Sequence, residues 1–227
     1  MRHLRFTVLA VLVLALCAAP VAVAKKNASK GGGAVIAPVH QVAGQSGSEL
    51  FGEYWAELLS NPVGTFSGSC IPLGNKGKVL APEPDEDFTA SCTIKPGTTL
   101  LFAFGSECSN VEEPPFFGET EAEQRECAIA FDEEFFVAAS ITVDDGQPVD
   151  ILNPRFELVS RQRTVDLPED NFLGVPAGPA TFTAHGWGAI VKGLPPGEHT
   201  IEVVVEDVDG FVATLTATIN VVPGGRS

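Results

Sequence analysis

Followed for its alternation of apolar and polar positions, the 227-residue chain changes period several times. It opens on an apolar run from Phe6 to Ala19 behind Arg2, His3 and Arg5, and Ala22-Val23-Ala24 follows as a small-x-small site. A basic start, a short apolar core and a small-residue site form the layout of a secretory signal peptide, cleaved after Ala24. The run falls short of the ~20 residues a membrane span needs, and Pro20 breaks its continuation, so no transmembrane span is expected in the mature chain. Cys17 follows Leu16, where lipid attachment wants a small side chain, and a lipoprotein is set aside. Residues 25–47 are rich in Lys, Gly and Ala without a lasting period and read as a flexible lead-in.

A helical period begins at "SGSELFGEYWAELLSNP". Leu50, Phe51, Tyr54, Trp55, Leu58 and Leu59 fall at helical spacing, Ser46 and Glu49 make a capping box, and Pro62 ends the helix. The aromatic stripe is the face such a helix buries, and Tyr54 with Trp55 is also a candidate sugar-stacking pair. From Gly64 to Phe104, "GKVLAP", "FTASCTI" and "TTLLFAF" read as strands separated by turns. A second helix is expected over Ala122–Phe131, behind a Thr120/Glu123 capping box.

Beyond it the period is two. "AASITVDDGQPVDI" carries Asp145-Gly146 as a hairpin signal. "TFTAHGWGAIVKGL", "HTIEVVVED" and "FVATLTATINVV" read as three consecutive strands of an antiparallel sheet with one apolar face. No Gly-rich phosphate loop follows a strand, and βαβ alternation is absent. The expectation is an all-β fold: an antiparallel β-sandwich with two short helices, one domain over residues 48–223 and a tail at 224–227.

Charge narrows the partners. Loss of Arg2 and Arg5 with the leader takes 14 basic residues to 12, against 29 acidic ones, a net −17. A chain this acidic repels nucleic acid and anionic membrane surfaces, which bind through clustered Lys and Arg. Four cysteines remain, Cys70, Cys92, Cys108 and Cys127, and an even number in an exported chain suggests two disulfides. Of three connectivities, Cys70–Cys92 with Cys108–Cys127 closes the short local loops, each worth roughly 3 kcal/mol. The spacings of 22, 16 and 19 do not suit a Cys₄ zinc site, which wants close pairs.

Candidate chemistry is sparse. Asp207 and Asp209 in "EDVDG" fit a fragment of a Ca2+ loop, but a strand resumes at Phe211 and the Asp-Gly pair also suits a tight hairpin. In "TAHGWGAI", His185 is a candidate general base and Trp187 a candidate ring-stacking ligand contact. The plainer reading is a bulged strand with Trp187 in the core, since Gly within a strand marks a bulge or a close backbone approach. "GTFSGSC" misses the G-x-S-x-G nucleophile elbow, and H-E-x-x-H is absent.

The ordered segments "EYWAELLSNP", "GSCIPLGNKGKV", "SCTIKPGTTLLFAF", "ITVDDGQPV", "VDLPEDNFLGVPAG" and "LPPGEHTIEV" resemble a family of uncharacterised secreted bacterial proteins. Its members carry a Tyr-Trp helix, a Cys-Thr-Val-Pro-x-Gly strand entry and a Pro-Gly-x-His-Thr-Ile near the end. The resemblance implies secretion and a β-rich domain and transfers no catalytic residue. Where such sequences have Asp-Gly-Tyr-Trp, this chain has Ala184-His185-Gly186-Trp187. "LPPGEHTIEVVVEDVDG" also looks like the end of immunoglobulin-like bacterial modules, an analogy of fold alone. Two functions follow as expectations: a secreted, disulfide-stabilised binding or structural protein for an extracellular glycan, envelope component or protein, or an extracytoplasmic hydrolase using His185 with neighbouring loop carboxylates.

Overall fold

The structure, a computed structural model, describes residues 33–39, 41–74 and 77–223. The expected leader, Cys17, His40 and the 224–227 tail lie outside the described residues. In chain order the elements are β1 (Ala34–Ile36), α1 (Gly47–Ser60), β2 (Ser69–Leu73), β3 (Val79–Glu83), β4 (Thr89–Ile94), β5 (Thr99–Ser109) and α2 (Glu121–Phe135). They continue as β6 (Phe136–Val143), β7 (Val149–Asp150), β8 (Glu157–Val159), β9 (Arg163–Leu167), β10 (Gly178–Lys192), β11 (Gly197–Asp207) and β12 (Val212–Val221). Two sheets form, ordered β1-β10-β5-β3-β2 and β4-β12-β11-β6-β7. This is the expected β-sandwich, but of mixed orientation, because β3 runs parallel to β5 and β4 parallel to β12.

β10 organises the first sheet. One edge pairs with β5 from Phe182 to Val191, and the other is shared in turn by β9, β8 and β1. Its side chains are buried on both faces, which explains a run too continuously apolar for a half-exposed strand. The three C-terminal strands therefore do not share a sheet: β10 is central to one, while β11 and β12 form a hairpin in the other. Residues 34–36 of the expected flexible lead-in are drawn into edge strand β1.

Period two divides the burial. Leu100, Phe102, Trp187, Ala189 and Val191 meet Ile94, Ile141, Ile201, Ala217 and Ile219 between the sheets. On the outer face of the first sheet, Leu50, Phe51, Trp55 and Leu59 of α1 pack on Leu101, Leu158, Phe182, Ala184 and Ile190. Each fully buried Leu, Ile, Val or Phe among these contributes about 1.5–3 kcal/mol. Both helices begin with the expected capping boxes, and α2 runs beyond its expected ends. Cys70–Cys92 joins β2 to β4, and so one sheet to the other; Cys108–Cys127 pins α2 to β5. Cys108 lies near the C-terminal end of β5.

Candidate functional site

His185 sits on β10 opposite Ser106 of β5, on the face that α2 covers. Its Nδ1 shares a 2.8 Å hydrogen bond with Asp132 Oδ2, and the Ser106 backbone N–H donates to the same carboxylate oxygen at 3.2 Å. Both side chains are 0% exposed. Its Nε2 lies 3.5 Å from Glu157 Oε1 and has no hydrogen-bond partner, and neither has Ser106 Oγ or Asp132 Oδ1. The three residue types of a nucleophilic triad are therefore near one another, but no hydrogen bond joins the Ser106 hydroxyl to the imidazole. Because His185 is sealed beneath α2, a substrate has no path to it in this conformation. Asp132 comes from a helix, not from the neighbouring loops expected to supply carboxylates. It lies in line with Gln124 and Ala128 at four-residue steps, and that buried stripe through a Glu-rich helix was the legible signal for it.

Trp187 is 8% exposed, within the core between the sheets. Its ring stacks on Phe104 at 5.9 Å and meets His185 edge-on at 4.9 Å. The strand carrying it is not bulged, since the β5 register continues unbroken from Phe182 to Val191. Its glycines serve close approach instead: a Cβ on Gly186 would overlap the Phe104 carbonyl, and one on Gly105 would overlap the His185 carbonyl.

Asp207 and Asp209 lie in the β11–β12 hairpin. Asp207 Oδ1 accepts from the Asp209 and Phe211 backbone N–H groups at 3.0 and 2.9 Å, and Gly210 takes φ +79°. Asp207 Oδ1 is thus occupied in shaping the turn. Among the described residues, no three of His, Cys, Asp and Glu converge to hold a metal. At the β6–β7 turn the left-handed residue is Asp144, φ +51°, rather than Gly146. The Asp144 carboxylate also receives His199 Nδ1 at 2.9 Å. Burial alone would lower that imidazole's pKa, but Asp144 and the Pro195 carbonyl outweigh it and hold it above the ordinary value.

Two features escaped sequence reading. Glu107 is buried on the face opposite His185, its carboxyl close to that of Glu112, which accepts from Ser109 Oγ at 2.9 Å. Burial, and then the Glu112 carboxylate, hold Glu107 well above the usual carboxyl range. The second is a cavity of about 260 Å³ where β3 splays from β5. The two strands pair only at Val79 and Leu80, which leaves the β5 edge from Leu101 to Gly105 without a strand partner. Tyr54 and Trp55 of α1 line one side, and Phe136, Val205 and Leu215 of the second sheet line the other. Phe88, which has φ +57°, and Phe172 also line it and are half exposed. The Tyr54 hydroxyl donates to Glu83 within it. Burial raises the Glu83 pKa, partly offset by that bond; burial and then the Glu83 charge raise Tyr54 well above its ordinary value. Tyr54 and Trp55, read as a buried stripe or a stacking pair, are thus both packed and cavity-lining.

No family model and no curated protein matches the chain. Two solved structures are partly similar. Amebosin has 14% identity and a TM-score of 0.23, over 63% of this chain and 95% of its own. PbICP-C, solved in complex with falcipain-2, has 12% identity and a TM-score of 0.21, over 64% of this chain and 98% of its own. Scores this low carry no argument about function. Among the described residues, no helix is long and apolar enough to cross a membrane.

Proposed function

We propose that this chain is an extracytoplasmic, disulfide-stabilised binding module with a small ligand or an envelope component as its partner. One contrast carries the reading: the aromatic cavity at the β3–β5 splay is rimmed by half-exposed Phe88 and Phe172, whereas the His185–Asp132 pair is wholly buried. The export signal and the two disulfides fit an oxidising compartment. The hydrolase reading retains one supporting observation, the 2.8 Å bond between imidazole and carboxylate, and is disfavoured by its burial.

Thermal melting of the oxidised protein against a panel of saccharides, aromatic compounds and calcium tests the proposal. A ligand at a hundred times its Kd stabilises the fold by about 2.7 kcal/mol, a rise of roughly 5–10 °C in Tm. At least one organic ligand is expected to produce such a rise. Turnover of an ester, peptide or glycoside that disappears in a folded His185→Asn variant would replace the binding module with the hydrolase.

A further inference from the structure

One wall of the cavity beside α1 is the open edge of β5. In an antiparallel ladder, main-chain groups point by turns toward the partner strand and away from it. On β10, the Ala184 C=O accepts from the Ser160 N–H and the Gly188 N–H donates to the Phe156 C=O, both on the side away from β5. Their partners in register are Glu107 and Ala103, and Ser109, in the same step, bonds outward to Phe116 and Gly118. Ala103 therefore turns its N–H and C=O away from β10, toward the space that β3 has left. Neither group has a hydrogen-bond partner among the described residues. Ala103 lines the cavity and is only partly buried, so this part of the edge borders open space.

β3 does not close the edge. Leu80 is its last residue paired with β5, and Pro82, two residues on and in step with it, has no N–H to donate. What remains is a donor and an acceptor side by side on a strand, which is what an added strand of another chain pairs with. Such a strand would lie between two apolar layers, Phe51 and Leu58 of α1 on one face and Val205 and Leu215 of the second sheet on the other. Successive side chains point to opposite faces, so consecutive residues of the added strand must be apolar, as they are in β10. A volume of about 260 Å³ admits only a short stretch. Charge sets its flanks. No basic residue lines the cavity, its carboxyl is Glu83, and the exposed Glu86 and Asp87 lead into Phe88 at its rim. Lys or Arg beside the apolar stretch complements that acidic border.

We infer that the β3–β5 splay binds a short, extended, apolar segment of another polypeptide, flanked by basic residues, which adds to β5 as a strand and pairs with the Ala103 N–H and C=O. The inference rests on the binding-module reading and names the partner class and the recognising atoms.

The probe is the peptide acetyl-Lys-Lys-Val-Ala-Val-Lys-Lys-amide, added to the oxidised, ¹⁵N-labelled protein. It is expected to shift the Ala103 amide resonance saturably and to slow its hydrogen exchange roughly 10-fold or more. Two further peptides carry N-methyl groups, one at both Val and one at Ala, because successive N–H groups of a strand point to opposite edges. At least one of them should bind roughly 5- to 10-fold more weakly than the parent. Glu in place of the four Lys should weaken binding several-fold at low salt, and the gap should close as salt rises. Ala103→Pro removes the unpartnered N–H without taking a bond from β10, and should weaken the parent peptide several-fold with an unchanged circular dichroism spectrum. The N-methylated peptides test the same pairing on the native protein, whether or not that variant folds.

An Ala103 amide unmoved by millimolar peptide, equal binding of the parent and both N-methylated peptides, or full binding by a folded Ala103→Pro variant would overturn the inference. If a saccharide or an aromatic compound raised the Tm while the peptide left Ala103 unmoved, the binding module would stand and the β5 edge would lose its partner. If neither the peptide nor any compound bound, both readings would fall together.

Discussion

The β5–β10 pair borders two contrasting spaces. Beneath α2, His185, Asp132 and Ser106 bring polar atoms together in a sealed compartment. Beside α1, where β3 leaves β5, aromatic rings and the unpaired β5 edge surround an open cavity. The polar compartment has the residue types of catalysis without access, and the aromatic one has access with one carboxyl, Glu83, bonded to the Tyr54 hydroxyl. Chemical suggestiveness and availability are therefore separate properties, and a list of residue types reports only the first. Closure follows from α2, whose disulfide to Cys108 and buried Gln124-Ala128-Asp132 stripe hold it over β10.

The largest expected effect lies on the sealed side. Asp132→Ala leaves a buried imidazole without its partner and should cost about 3–5 kcal/mol in urea unfolding. Trp55→Phe, a partial truncation beside the open cavity, should cost less than about 3 kcal/mol, the low end of a full Trp→Ala truncation. Comparable losses from the two would erase the distinction between the compartments.

Next in size is the staple. Replacing Cys108 and Cys127 together by Ser should cost about 3 kcal/mol by loop entropy. The loss should be local, with the α2 amides exchanging faster while the β11–β12 amides remain protected. Uniform acceleration across both sheets would mean that the disulfide stabilises the whole fold rather than the lid over His185.

The smallest effect appears only as a difference between pH values. Glu107 has a raised folded pKa, through burial and then Glu112, so its contribution is full below an unfolded pKa of about 4.3 and is lost as pH rises through the folded value. Glu107→Gln should melt close to the native protein near pH 4 and gain on it as the pH is raised. An offset independent of pH would show that this carboxyl is already ionised in the folded state.

Legibility followed the range of the interaction. The capping boxes at Ser46/Glu49 and Thr120/Glu123 were readable because both partners lie within one turn. The β11–β12 hairpin was readable from alternation and from Gly210 at a position that needs φ > 0. β8 and β9 escaped notice because they are short edge strands with polar outer positions, and their pairing depends on β10 being long enough to serve several partners. The bulge expected at Gly186 failed because a Gly facing Gly105 across two strands looks the same, in one strand, as a Gly marking an extra residue.

By itself the sequence determined the acidic charge, the class of fold, the helix starts and a cysteine spacing suited to two local disulfides. All of these rest on composition or on neighbours a few residues apart. Tertiary structure alone decided that β10 leaves the sheet of its successors, that His185 meets Asp132 53 residues away, and that β3 parts from β5 to open a cavity. Those outcomes depend on which surfaces cover one another once the chain has packed, and no local period encodes that choice.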